Sequence, residues 1–185
     1  MDTAPDLVSA IEAWRTWLVV RTRDGLRLGS VMYASCWIPR RAMRASCRPQ
    51  PGGWPGLVDS GRRSHDSPAG DCRCGVYGAI DLAEAARYLD TVGPVGEPVA
   101  WSVIGKVSLW GTVVEATAGY RASHAYPSAL YVPARRLFRP RAGRELPDQL
   151  TATAVARSLA AYGVPVTRLQ AATPLEVADD LQQAA

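Results

Sequence analysis

Four residues in the middle of the chain are of the types that bind a transition metal: Cys47, His65, Cys72 and Cys74. Structural zinc sites are tetrahedral, and three cysteines with one histidine is a common ligand set. Cys72 and Cys74 are one residue apart, and Gly75 after them allows the backbone to fold around an ion. This C-x-C pair is less usual than C-x-x-C, and the 17 residues between Cys47 and His65 are many for a zinc finger. The pattern predicts a metal knuckle with zinc as its ion.

Cys36 is an alternative ligand. In place of His65 it would complete an all-thiolate site, which could hold zinc or, as a less favoured alternative, an iron-sulfur cluster. Two hypotheses without a metal also remain open. The cysteines could be ordinary thiols, or they could be redox-active, since arginines such as Arg73 lie nearby and would lower a thiol pKa. A closed four-ligand site leaves no position for water, so it would stabilise the fold and not catalyse.

Basic residues are distributed unevenly along the chain. The formal net charge is +4, and 20 of the 21 basic residues are arginine. Arginines are dense in residues 40–63 and 121–144, and the two stretches would form one positive face if they meet in space. Such a face would bind nucleic acid in a salt-dependent way, whereas an acidic protein partner or a solvated surface are the alternatives. The predicted contact residues are Arg40, Arg41, Arg44, Arg135, Arg136 and Arg139.

A second group of candidate residues combines aromatic and polar side chains on a segment that strands should hold in place. Arg121 and His124 at the mouth of a pocket, with Trp110 as its wall, would accept a small ligand or a flipped base. The alternative is an Arg121 that bridges loop carbonyls and a His124 that faces solvent. The predicted pocket residues are Trp110, Tyr120, Arg121, His124 and Tyr126.

Catalytic motifs are missing from the sequence. The chain has two histidines and no nucleophile elbow, phosphate-binding loop, or metalloprotease or deaminase motif. We therefore predict no catalytic residue and a non-enzymatic function. The expected protein is a metal-stabilised binding or regulatory module whose arginine-rich face contacts nucleic acid. The alternatives are a protein-interaction or thiol-redox regulatory partner that docks on an acidic protein, and a small enzyme or ligand-binding protein with a pocket near Arg121 and His124.

The elements that must position these residues follow from apolar spacing. Leu7, Val8, Ile11 and Trp14 have the spacing of one helix face, which predicts a helix over residues 6–14. The turn residues at 23–25 between two apolar runs predict a hairpin of strands over residues 17–21 and 26–33. Further predicted elements are a helix over 81–90, strands within 99–114 and 120–132 bent at Gly105 and Gly111, a helix over 150–162, a strand over 164–169 and a last helix from 173.

These elements predict an α+β fold: a small, bent antiparallel sheet or partial β-barrel, with three to four flanking helices and a metal-tethered loop. With 185 residues and 48% apolar composition, the chain is the size of one ordinary domain. We expect an α+β domain over residues 1–145 that contains the Cys/His loop at 36–75, and a C-terminal helical appendage over 146–185 packed on the same domain. The acidic first residues and the lack of an apolar run of 18 residues favour a cytoplasmic protein. No pattern in the sequence indicates an oligomeric state.

Three sequence motifs carry a resemblance. They are CRCGVYGA at residues 72–79, GKVSLWGTVVE at residues 105–115 and GYRASHAYP at residues 119–127. In these motifs the chain resembles a group of uncharacterised small bacterial proteins of actinobacterial type, over roughly residues 14–132. The resemblance implies a shared fold in which the cysteine cluster and the segment from Trp110 to Pro127 form one unit, and it implies no reaction.

Overall fold

The computed structural model describes residues 10–32, 35–47, 65–91, 99–138 and 150–183. In this part of the chain the fold is mixed α+β, with one seven-stranded sheet and three α-helices. The elements in chain order are β1 (Ile11–Thr22), β2 (Gly25–Gly29), β3 (Met43–Arg44), β4 (Val76–Ala79), α1 (Leu82–Ala86), β5 (Val99–Ala116), β6 (Gly119–Val132), α2 (Ala152–Leu159), β7 (Val166–Arg168) and α3 (Pro174–Gln183).

Four strands form a closed ring of hydrogen-bonded pairs. The long strand β5 is antiparallel to both β1 and β6. The short strand β4 pairs with β6 from Val76 to Ala79 and reaches β1 where Trp14 lies opposite Ala79. The ring β1–β5–β6–β4 is not a regular barrel, because β1 and β4 share this one pair of residues. The predicted α+β class is confirmed.

The edge of β6 away from β5 is shared by three short strands in turn. Residues 119–122 pair with β4, residues 124–125 with β3, and residues 130–132 with the parallel strand β7. The strand β2 forms the predicted hairpin with β1 and ends at Gly29. The predicted boundary between residues 145 and 146 lies outside the described residues.

The interior of the ring is the main hydrophobic core. Alternate residues of β1 point inward, and Trp17 packs edge-on against Trp37 with ring centroids 5.5 Å apart. Val155 and Leu159 of α2 cover this cluster. A second cluster lies around Ile104, where it is covered by α1 and α3. Helices therefore pack on more than one side of the sheet.

All three helices begin at positions that the sequence pattern indicates. The Asp81 carboxylate accepts a hydrogen bond from the Ala83 N–H at the start of α1, and Thr151 caps α2 in the same way. Gly163, with φ of 72°, ends the short 3₁₀ turn that follows α2. Among the described residues, no helix is both long and apolar enough to span a membrane.

The predicted N-terminal helix is wrong where the structure describes it. Residues 11–14 belong to β1, and Ile11 lies opposite Leu109 of β5. The remainder of the predicted helix, residues 6–9, lies outside the described residues. Ile11 and Trp14 suit a helix face by spacing, but pairing of residues 11–14 with the long strand β5 outweighs that local preference.

Gly105 allows the backbones of β5 and β6 to approach each other closely. A Cβ atom at this position would clash with the carbonyl oxygen of Ala129 on the paired strand. We expect Gly105→Ala to lower the free energy of unfolding by about 3 kcal/mol or to prevent folding, because backbone atoms would have to move. Gly70→Ala is the matched control, since nothing lies within 4 Å of its added Cβ. Equal urea midpoints for the two variants would contradict the observed strand spacing.

Candidate metal centre

The four predicted metal-ligating residues come together in the structure. The side-chain donor atoms of Cys47, His65, Cys72 and Cys74 all lie within 4.8 Å of one another. The sulfurs of Cys47 and Cys72 are 3.7 Å apart, and the Cys74 sulfur is 3.9 Å from Nε2 of His65. All four cysteines of the chain lie in the described part, and none is in a disulfide. The cluster could hold one metal ion.

Short segments beside β6 deliver these ligands. Cys47 follows β3, and the neighbouring Ala45 N–H donates to the carbonyl of Ser123 on β6. Cys72 and Cys74 lie in the turn before β4, where the Cys72 N–H donates to the Ala69 carbonyl. The cluster thus joins the segments that follow β3 and precede β4.

His65 has a defined ring orientation. Its Nδ1 is 2.8 Å from the carbonyl oxygen of Asp66, which can only accept, so Nδ1 carries the proton. The other ring nitrogen, Nε2, faces Cys74. A hydrogen bond from one ring nitrogen to a carbonyl is the usual way in which a protein orients the opposite nitrogen for a metal.

Arg121 of β6 holds the cysteine loop. Its guanidinium donates to the carbonyls of Ala69 at 3.2 Å and Cys74 at 3.1 Å, and also to the carbonyl of Cys72. Of the two roles predicted for Arg121, the structure therefore shows the second: it bridges loop carbonyls. Gly75 permits this contact: it has φ of +129°, and a Cβ there would lie 2.9 Å from Cβ of Arg121. The loop can fold closely onto Arg121 because residue 75 is glycine.

The thiol groups of the cluster differ in acidity. Hydrogen bonds from the backbone of Cys74 and from the His65 ring lower the pKa of Cys72 to about 6. Burial, followed by the hydrogen bond and charge of Cys72, raises the pKa of Cys47 to about 11. The pKa of His65 is raised, first by its hydrogen bond to Asp66 and then by Cys72. Cys72 is thus set up as a thiolate, and its charge opposes ionisation of Cys47 beside it.

Cys36 lies apart from the four clustered ligands. Cys36 is exposed and forms an isolated β-bridge with Gly29, the last residue of β2. The clustered donor set consists of three sulfurs and one imidazole, and Cys36 is not part of it. The all-thiolate alternative therefore lacks its fourth sulfur in this arrangement.

The predicted pocket residues divide between two places. Trp110 and His124 are cross-strand partners whose rings stack with centroids 5.9 Å apart at 18°. Tyr126 lies two residues along β6 from His124 and so on the same face of the sheet. Arg121 instead holds the cysteine loop, and Tyr120 packs against the main core.

A groove of about 520 Å³ borders Trp110 and Tyr126. Four of its residues were not singled out from the sequence as pocket residues: Arg40, which was predicted as a nucleic-acid contact, and Ala42, Tyr162 and Gly163. Tyr162 comes from the turn after α2, where its hydroxyl donates to the Trp37 carbonyl and accepts from the Leu28 N–H. No local sequence pattern places Tyr162 in the groove, because it lies 36 residues further along the chain than Tyr126.

The predicted arginine face is spread along β6. Arg40, Arg41 and Arg44 are exposed, and Arg44 lies opposite His124. Two more of the predicted contact residues, Arg135 and Arg136, follow β6. The last residue of β6, Val132, is eight positions beyond His124. At about 3.3 Å per residue, up to about 26 Å of strand separates the two groups. Arg139 lies outside the described residues.

A half-buried arginine on β1 was not singled out from the sequence. Arg15 lies between the inward-facing Ala13 and Trp17, and its guanidinium is 5.2 Å from the ring centroid of Trp37. It donates to the Tyr77 carbonyl, and burial lowers its pKa to about 10. The sequence signal for Arg15 is an arginine at an inward position of an alternating strand. The incorrect prediction of a helix over residues 6–14 hid this signal, because residues 11–14 belong to the same strand.

Arg121 provides a test of loop positioning. We expect Arg121→Met to increase amide hydrogen exchange across residues 69–75 and to lower the free energy of unfolding by about 1–3 kcal/mol, because three carbonyls lose a charged donor. Arg73→Met is the matched control, an exposed arginine of the same loop. Loop exchange that is unchanged in Arg121→Met, or increased equally in both variants, would contradict the positioning role.

Comparisons with known proteins supply no relative from which function could be transferred. No protein-family model, no curated protein and no solved structure matches the chain. The resemblance to small bacterial proteins stays a prediction, and the function has to be argued from the geometry of the described residues.

Proposed function

We propose that the protein is a zinc-stabilised binding module whose arginine face contacts nucleic acid. The observation that carries the proposal is the cluster of three cysteine sulfurs and one histidine nitrogen within 4.8 Å. The metal would have a structural role, and the arginines around residues 40–44 would bind phosphate groups.

The distances in the cluster favour zinc. Ligand atoms bound to one tetrahedral zinc at about 2.0–2.3 Å are about 3.3–3.8 Å apart. The separations of 3.7 Å between Cys47 and Cys72 and 3.9 Å between Cys74 and His65 are close to these values. Three sulfurs and one imidazole are soft and borderline donors, which suit zinc better than magnesium or calcium.

A zinc ion here would tie two short strands together. Cys47 lies three residues after Arg44, the end of β3, and Cys74 lies two residues before Val76, the start of β4. Both strands pair with the same edge of β6. Four protein ligands leave no open coordination position, so the ion would supply folding free energy and not a reactive water.

The arginine face supports nucleic acid as the ligand class. Arg40, Arg41 and Arg44 are exposed, and within the described residues none of them forms an ion pair. Three exposed cations on one short stretch attract a polyanion and release its counterions. An acidic protein surface presents the same charge and is therefore the alternative that the binding experiment must separate.

Metal content tests the structural role. We expect about one zinc per chain by elemental analysis after purification without added metal or chelator. Cys72→Ser should abolish zinc binding and lower the thermal midpoint, because one of four ligands is lost. Cys36→Ser should keep both, since Cys36 lies outside the cluster. Metal-free protein with four titratable thiols would overturn the metal proposal and favour the thiol-redox alternative.

Salt dependence tests the arginine face. We expect a fluorescein-labelled oligonucleotide to bind with an affinity that falls with salt at a log–log slope of about −2 to −3, one unit per arginine contact. Arg40→Ala combined with Arg44→Ala should reduce that slope by about 2. Arg157→Ala, an exposed arginine on α2, is the control and should leave it unchanged.

Two outcomes would contradict the nucleic-acid proposal. The first is an affinity no stronger than millimolar at low salt. The second is an acidic protein that co-purifies and survives nuclease treatment, which would favour the protein-interaction alternative.

A further inference from the structure

We infer that the groove beside Trp110 is a stacking site for one unpaired nucleobase, and that the nucleic acid bound is single-stranded. This inference rests on the proposed function and adds the ligand's strandedness and its site. The groove is lined by Arg40, Ala42, Trp110, Tyr126, Tyr162 and Gly163 and has a volume of about 520 Å³.

Three neighbouring strands place one side chain each in a row across this face. Arg44 of β3 lies opposite His124 of β6, which in turn lies opposite Trp110 of β5. Directly opposed residues of antiparallel strands point to the same face, about 5 Å apart. A cation, an imidazole and an indole therefore follow one another across the sheet.

The indole of Trp110 is held as a platform. The ring of His124 is nearly parallel to it, at 18° and with centroids 5.9 Å apart. Trp110 lines the groove whereas His124 does not, so a base that enters the groove contacts the indole. A flat aromatic surface stacks with any base, because every base has a π-face.

Hydrogen bonds fix the other residues of the groove. The Tyr126 hydroxyl accepts from the Arg40 N–H at 2.6 Å and donates to the Tyr162 carbonyl at 2.8 Å. Arg40 has φ of 61°, an uncommon backbone conformation for a residue other than glycine. This contact fixes the turn so that an exposed arginine stands at the rim of an aromatic groove.

Charge at the rim matches a phosphate backbone. Arg40 is exposed and lines the groove, and Arg44 lies on β3 opposite His124. Among the described residues, no acidic side chain lines the groove. A ligand that fits must present a flat aromatic group next to negative charge. A nucleotide unit has both, whereas the bases of a duplex are stacked and paired and would first have to be flipped out, which costs free energy.

The experiment compares three probes at one salt concentration by fluorescence anisotropy. They are a labelled oligothymidine of about 12 nucleotides, within the usual site size for single strands, an abasic strand of the same length, and a duplex of the same length. We expect oligothymidine to bind about tenfold to a hundredfold tighter than the abasic strand, because stacking on one aromatic side chain has about that effect.

Variants assign the effect to Trp110. Trp110→Ala should lower the affinity for oligothymidine to that for the abasic strand while the abasic affinity stays unchanged, which also shows that the variant is folded. Trp110→Phe keeps an aromatic ring and should retain most of the preference. Tyr88→Ala removes an exposed aromatic side chain elsewhere, 44% exposed, and should change neither affinity.

The outcomes separate this inference from the proposed function. Equal affinity for abasic and base-bearing strands, tighter binding of the duplex, or a preference that persists in Trp110→Ala would overturn the stacking site while leaving nucleic-acid binding in place. If none of the three probes binds, both proposals are wrong. Binding of an acidic, aromatic peptide that depends on Trp110, in place of the oligonucleotide, would overturn the inference in favour of a protein ligand.

Discussion

The pairing of β6 along both edges is the constraint on which both candidate sites depend. One edge follows β5 for nearly its full length, and the other is occupied in turn by β4, β3 and β7. Because three short strands share one edge, their adjoining loops meet beside the same strand. The cysteine cluster forms where the chain leaves β3 and enters β4, and the aromatic groove forms on the face that β3, β6 and β5 share.

Arg121 links the sheet to the cysteine loop through charge as well as hydrogen bonds. Three thiolates, a neutral imidazole and one zinc ion would carry a net charge of about −1. The guanidinium of Arg121, hydrogen-bonded to the carbonyls of Cys72 and Cys74, would compensate this charge. A metal site at the protein surface would thus be close to electrically neutral in its immediate surroundings, which lowers the cost of placing three anionic ligands together.

Sequence patterns were informative where a residue's role depends on its own chemistry or on near neighbours. Asp81 indicated the start of α1, because its side chain caps the helix. The four residues of the cluster were predicted from their thiol and imidazole groups, which bind metals, although Cys47 and His65 are far apart in sequence. The role of Arg121 was left open between two alternatives, because its partners are backbone carbonyls. Backbone carbonyls are the same for every residue type, so only the register of β4 against β6 selects them.

The two sites are also close along the chain, and this follows from the small size of β3. This strand has two residues, Met43 and Arg44, which is too short to be stable by its own hydrogen bonds. Its position depends on Met43 packing against the core, on the bond from Ala45 to Ser123, and on the cluster at Cys47. Arg44 belongs to the groove face, so the same few contacts that place a metal ligand also place a cation beside His124. A structural metal in this protein would therefore act on ligand binding through geometry, with no contact to the ligand.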